Sequence, residues 1–123
     1  MPAQFEYDIS PEKRLIYVVY FGSVTLRSVT QSSRKIWEDP LYDADYRAIL
    51  DFRNSLLELS PDEMPQLIEF FKSAGSNLRG RLAVVIDQPS GTAFSLMFKQ
   101  DMQGTTAIEV FSTLEAARKF VGL

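Results

Sequence analysis

Residues 4–10, QFEYDIS, alternate Phe5, Tyr7 and Ile9 with Gln4, Glu6 and Asp8. This is the period-two pattern of a strand with one buried and one wet face, and such a strand belongs at a sheet edge. A bend follows at SPEK, where Pro11 suits a turn, and from Leu15 to Phe21 every position is apolar. That run predicts a central strand covered on both faces and paired antiparallel with the first. In SVTLRSVTQSSRKIWEDP, Leu26, Val29, Ile36 and Trp37 fall at near-helical spacing. Asp39-Pro40 then ends the helix, because a residue before proline is pushed out of the α region. RAILDF (47–52) and RLAVVID (81–87) are two more β-rich apolar runs. Between them Met64, Leu67, Ile68, Phe71, Ala74 and Leu78 mark one face of a second helix, which Pro65 delays by a turn. SGTAFSLMFKQDMQG predicts a third helix, TTAIEVF a half-polar strand, and STLEAARKFVGL a last helix with Leu114, Ala117, Phe120 and Val121 inward. Strands alternating with helices imply parallel pairing after the first hairpin.

At 123 residues the chain suits one domain with a real core. No internal repeat, linker or low-complexity tract divides it. Apolar residues make up 46% and charged residues 24%, which argues for a globular fold and against disorder. The net charge of −3 is mild, and the basic residues are scattered among acids (Lys13-Arg14, Arg34-Lys35, Arg79 with Arg81, Arg118-Lys119). No stripe exists to track a phosphate backbone, so nucleic acid is not an expected partner. There is no cysteine, which removes disulfides and thiolate nucleophiles, and no histidine, which removes the commonest general base and transition-metal ligand. The expectation is therefore a protein that is not an enzyme and holds neither a metal nor another cofactor. MPAQFEYDIS lacks a basic segment and an apolar run, and no stretch nears the roughly 20 apolar residues of a transmembrane helix. A cytoplasmic address is expected.

The order β-β-α-β-α-β-α-β-α, with DPLYDADYRAILDFR in the middle and IEVFSTLEAARKFVG near the end, resembles the SpoIIAA-like branch of the STAS and CRAL-TRIO-related superfamily. The likeness spans essentially the whole chain. It rests on a proline and aromatics ahead of the third strand, the LDFR strand end, and the closing VF…EAA…F, all of them mainly fold-keeping residues. The resemblance implies an α/β domain: a five-stranded mixed sheet with an N-terminal antiparallel edge strand, the remaining strands parallel, and about four helices. Of function it implies little beyond a small bacterial protein. In the anti-sigma-factor antagonists of this group, an Asp-Ser pair after the strand matching ILDF opens the next helix, and a partner kinase phosphorylates the serine. Counting forward from Asp51, Ser60 falls at that place. Here, however, Leu59 precedes it, Pro61 follows, and Asp62 and Glu63 stand where a small residue and glycine are expected. A working phosphoserine switch is therefore not expected. Ser60-Pro61-Asp62-Glu63 instead has the form of a capping box, with acids that complement the helix dipole and would repel a phosphate.

Other candidates are read from position. Asp51, Arg53 and Asp87 lie at or near the C-terminal ends of adjacent parallel strands, where open α/β sheets bind ligands, and PSGT (89–92) opens a helix. Without a glycine-rich phosphate fingerprint, an Asp-Arg ion pair beside an ordinary Ser90 cap is the preferred account. Phe94, Met97, Phe98 and Met102 form a helically spaced stripe, read as core first and as an apolar pocket lining second. Two functions follow. The first is a non-enzymatic module for an unknown protein partner, regulatory in bacterial signalling. The alternative is a binder of a small apolar or lipid-like ligand.

The strand pattern also raises a covering problem. If every crossover is right-handed and strands two to five follow in chain order, the helices fall on one face. Yet Ala48, Leu50 and Phe52 oppose Ile49 in one middle strand, and Leu82, Val84 and Ile86 oppose Ala83 and Val85 in the next. Either the first helix crosses to the far side and breaks the simple order, or a second subunit or a ligand packs there. Helices on both faces are the favoured expectation, with a homodimer as a further option.

Overall fold

A computed structural model describes residues 4–74, 79–104 and 106–123. The hairpin of β1 (Phe5–Ser10) and β2 (Leu15–Val24) is antiparallel, with Ser10 opposite Leu15. Its four-residue loop closes through the Arg14 amide donating to the Pro11 carbonyl at 3.2 Å, and Arg14 takes a φ of +53° to re-enter the strand. After β2 come α1 (Leu26–Trp37), β3 (Arg47–Leu57), a 3-10 turn at Pro61–Glu63, α2 (Met64–Ser73), β4 (Leu82–Val85), α3 (Pro89–Asp101), β5 (Ile108–Phe111) and α4 (Leu114–Phe120). The sheet order is β1-β2-β3-β4-β5, with every pairing after the first parallel. This is the five-stranded mixed sheet expected from the pattern, with β1 at one edge.

α1, α2 and α3 pack on one face. Val29 and Ile36 of α1, Met64, Leu67, Ile68 and Phe71 of α2, and Phe98 and Met102 of α3 bury against Ile16, Val18, Tyr20, Phe52, Leu82 and Val84. Thr25 caps α1: its hydroxyl accepts from the Ser28 amide at 3.2 Å, and the Ser28 hydroxyl accepts from the Thr25 amide at 3.3 Å. The regular helix α2 starts at Met64, one turn after Ser60, as the second proline at Pro65 requires. Leu78, assigned to this helix by its spacing, lies outside the described residues.

Helices do cover both faces, but not by the expected route. The strand order is unbroken and the first helix does not cross. The last helix covers the second face instead. Because α4 follows the final strand it is not a crossover, so the right-handed rule leaves its side free. Ala117 and Val121 bury Leu15, Ile49, Ala83 and Val85 there. Arg47 donates to the Val121 carbonyl and Arg81 to the Phe120 carbonyl at 2.8 Å, two cations on carbonyls that end the helix. Being short, α4 leaves part of this face uncovered. The expectation that Leu15–Phe21 is buried on both sides is corrected: Tyr17 and Val19 are half-buried and Phe21 is exposed.

Candidate functional site

The uncovered region lies over β1, β2 and the C-terminal half of β3. Its side chains follow from the register. Glu6 pairs with Val19 and Asp8 with Tyr17, so these four share a face, and Val19 in turn pairs with Asp51. Beyond Asp51 the register shifts, and Phe52 and Arg53 together oppose Tyr20 in a β-bulge. The shift restores the pattern so that Asn54 lies beside Phe21 and Leu56 beside Ser23. Strand β3 therefore continues five residues past RAILDF, which a strict alternation read across Phe52 does not reveal. The Ser55 hydroxyl donates to the Phe52 carbonyl at 2.9 Å inside the bulge, and Gln88 Nε2 donates to the Ser55 carbonyl at 2.6 Å, tying the bulge to the start of α3.

Asp51 and Arg53 meet at the bulge, joined by Tyr17. Asp51 is 1% exposed. Its Oδ1 accepts from the Arg53 amide at 3.1 Å and from Arg53 Nε at 2.9 Å, and its Oδ2 accepts from Arg53 Nη2 at 2.7 Å and the Tyr17 hydroxyl at 2.8 Å. Burial pushes the Asp51 carboxyl up, but the Arg53 guanidinium, the Arg53 amide and the Tyr17 hydroxyl outweigh it and hold the group below the usual carboxylate range. The Arg53 guanidinium is pushed up, chiefly by its bonds to Asp51. Burial and the bond to Asp51 raise the Tyr17 hydroxyl, which stays protonated as a donor. Four hydrogen bonds occupy the carboxylate, and an acid held ionised this firmly is a poor general base. The cluster presents a fixed guanidinium edge, not a reactive group.

The other sequence candidates are dispersed. Asp87 is exposed and takes no part in the cluster. Gln88, rather than Ser90, holds the cap position of α3, which begins at Pro89. Phe94 and Phe98 line an apolar cavity of about 50 Å³ beneath α2 and α3. Met97 and Met102 do not: Met97 is exposed on the far side of α3, and Met102 is fully buried in the main core. A second cavity of about 50 Å³ lies under the loop that carries Tyr42 and Tyr46, and both cavities touch Leu50, Phe71 and Leu82. Among the described residues no three carboxylates converge as metal ligands, and no helix is long and apolar enough to cross a membrane.

Ser60 is exposed and precedes the 3-10 turn. The Glu63 carboxylate accepts from the Ser60 amide at 2.9 Å, and the Glu63 amide donates to the Ser60 carbonyl at 3.0 Å. The closure thus leans on Glu63 as much as on the serine hydroxyl. Ser60→Asp is expected to leave the thermal midpoint unchanged, since both residues cap well, and Ser60→Ala to lower stability by no more than about 1 kcal/mol. A Ser60→Ala protein with an unaltered midpoint that has lost a binding partner would show a role beyond capping.

Phe21, Asn54 and Leu56 carry little signal in the sequence: an apolar residue directly before Gly22 and another after the polar pair Asn54-Ser55 are not distinctive. Tyr17 stands in a run that is apolar throughout, a pattern that predicts core and not a surface cluster.

No family model matches the chain, and no curated protein matches it. Among solved structures it is similar to the crystal structure of an uncharacterized protein of the DUF3478 family from Shewanella loihica PV-4, described as having a SpoIIAA-like fold. The superposition covers 95% of this chain and 91% of that one, with a TM-score of 0.62 and 11% identity. At that identity the likeness is one of architecture, and the chain has a SpoIIAA-like fold.

Proposed function

We propose that this chain is a non-enzymatic protein-interaction module, regulatory in bacterial signalling, that engages its partner through the half-face left open by α4. The observation that carries this reading is the exposure of Phe21 at 36% and Leu56 at 50%, side by side with the Arg53 guanidinium, on a sheet face whose other half is covered. Apolar side chains around an ordered arginine make the kind of centre that protein interfaces use. The saturated Asp51 carboxylate and the lack of histidine and cysteine favour binding over catalysis. Protein purified gently from its own source is expected to carry a partner visible by native mass spectrometry, and Leu56→Arg should release it at an unchanged melting temperature. Equal retention by the variant would move the interface elsewhere.

The two adjoining cavities favour a second reading, a small apolar ligand. Each is large enough for a methyl-sized guest and too small for an aromatic ring unless Phe71 moves. A small molecule released on denaturing the same preparation would support this reading.

A further inference from the structure

Each of the two core cavities is lined by a buried serine whose hydroxyl has no hydrogen-bond partner among the described residues. We propose that each cavity seats a small aliphatic molecule bearing one oxygen, an alcohol or an aldehyde the size of ethanol; this rests on the second reading above, that the cavities hold a small apolar ligand. The buried polar residues are Ser32, Ser33, Asp51, Ser55 and Ser95. Three of them are satisfied. Asp51 has the four bonds already described, the Ser32 hydroxyl donates to the Val29 carbonyl at 3.0 Å and meets the Tyr20 hydroxyl at 2.9 Å, and Ser55 bonds the Phe52 carbonyl. The other two are the ones at the cavities: Ser33, 9% exposed, under the loop of Tyr42 and Tyr46, and Ser95, 7% exposed, beneath α2 and α3.

Both stand inside helices, where a serine ordinarily turns back onto a carbonyl three or four residues earlier. On α1 the neighbours of Ser33 do so, Thr30 onto the Arg27 carbonyl at 3.2 Å and Ser32 onto that of Val29. Ser33 and Ser95 do not. An unpaired buried hydroxyl costs stability, and alanine is the better helix former at both places. A guest that supplies the missing bond offsets that cost.

The walls define the guest. Every residue lining the second cavity except Ser95 is apolar. A buried water needs two to four polar partners, so a lone hydroxyl in such a wall suits an apolar body with a single oxygen. In the first cavity Ser33 faces the same space as Ile16, Val18 and Ile36, with Tyr42 and Tyr46 on the loop side. Each volume of about 50 Å³ is about a third of the roughly 150 Å³ that holds benzene, which leaves room for ethanol and none for a ring. A serine hydroxyl donates to a carbonyl oxygen and can donate to or accept from an alcohol, so both classes fit. A guest this small binds no tighter than roughly the millimolar range.

Methyl NMR of the intact chain tests the proposal, because Ile36 lines only the first cavity and Val29 only the second. Xenon under pressure, which is purely apolar, is expected to shift both methyl signals, and ethanol and ethanal should each shift them saturably. Ser33→Ala should weaken the Ile36 response to ethanol and ethanal by roughly three- to tenfold and leave the Val29 response and xenon entry unchanged. Ser95→Ala should do the reverse. Both variants should melt at or above the wild-type temperature, since each loses an unpaired hydroxyl. Ethanol and ethanal responses that ignore both substitutions overturn the proposal, and if xenon still enters, the reading of the cavities as apolar sites stands without it. Exclusion of xenon from both cavities overturns the two together. A lowered melting temperature in either alanine variant would show that its hydroxyl is already bonded within the fold, and overturns the proposal for that cavity.

Discussion

Gly80→Ala is expected to destabilise the protein by roughly 3 kcal/mol, the upper part of the usual range for forcing an extra methyl group into a packed site. The segment before β4 passes directly under the loop before β3. The amides of Arg79 and Gly80 both donate to the Ala44 carbonyl, at 2.9 and 3.2 Å, and the Thr106 hydroxyl donates to the Gly80 carbonyl at 3.1 Å. A Cβ on residue 80 would stand 2.1 Å from the Tyr46 carbonyl oxygen and 2.7 Å from its carbon. Both obstacles are backbone, and that backbone leads straight into β3, so neither side can yield without breaking these bonds. Gly91 makes the control. A Cβ there would meet Ile86 Cδ1 at 2.2 Å and Cγ1 at 3.1 Å, side-chain atoms of a buried residue where Gly80 meets backbone, and alanine is the better helix former at a position inside α3. Gly91→Ala should cost less than Gly80→Ala, because a side chain yields more readily than backbone and the helix gains from alanine. Urea denaturation of the two variants checks the contrast, and equal midpoints would contradict the close approach at Gly80.

Arg53→Ala is expected to cost about 2 kcal/mol at neutral pH, below the usual figure for breaking a buried pair because water already screens the arginine. Its pH dependence is the sharper result. In the wild type the Asp51 carboxyl sits below its unfolded value, so its stabilisation is present above the unfolded pKa, about 3.9, and is lost as pH falls through the folded value. Without the guanidinium, burial is opposed only by the amide of residue 53 and the Tyr17 hydroxyl, and the folded pKa moves up. Where that value exceeds the unfolded one, the folded state binds the proton more tightly and the variant gains stability as pH falls through the raised pKa. The difference between wild type and variant should therefore narrow from pH 7 toward about 4. Denaturation curves across that range test it. A constant difference would mean that Arg53 stabilises by packing alone.

Much of this architecture is legible in the chain. The alternation of Phe5, Tyr7 and Ile9 marks β1 as an edge strand, the full burial of Leu82–Val85 marks β4 as central, and the spacing of Met64, Leu67, Ile68 and Phe71 sets the inward face of α2. These patterns arise between residues at most four apart, where the geometry of one strand or helix decides which side chains share a side. The Asp51–Arg53 pair is legible as well, because residues two apart in the chain lie close enough for an acid and a guanidinium to meet, although the bulge and not strict alternation sets their geometry.

What lay beyond the sequence depends on contacts between distant segments. The bulge at Phe52 and Arg53 is seen only in the register of β3 against β2, and the Gln88 side chain at the head of α3 bonds the Ser55 carbonyl just past it. Tyr17 joins Asp51 only because β2 lies beside β3. Above all, α4 is free of the handedness that binds a crossover helix, and its side was decided by the apolar area of Ile49, Ala83 and Val85 waiting on the second face. Periodicity determined that the last segment is an amphipathic helix. Only tertiary packing decided which face it covers, and a helix of seven residues is too short to cover all of it, which is why Phe21, Leu56 and Arg53 are left at the surface.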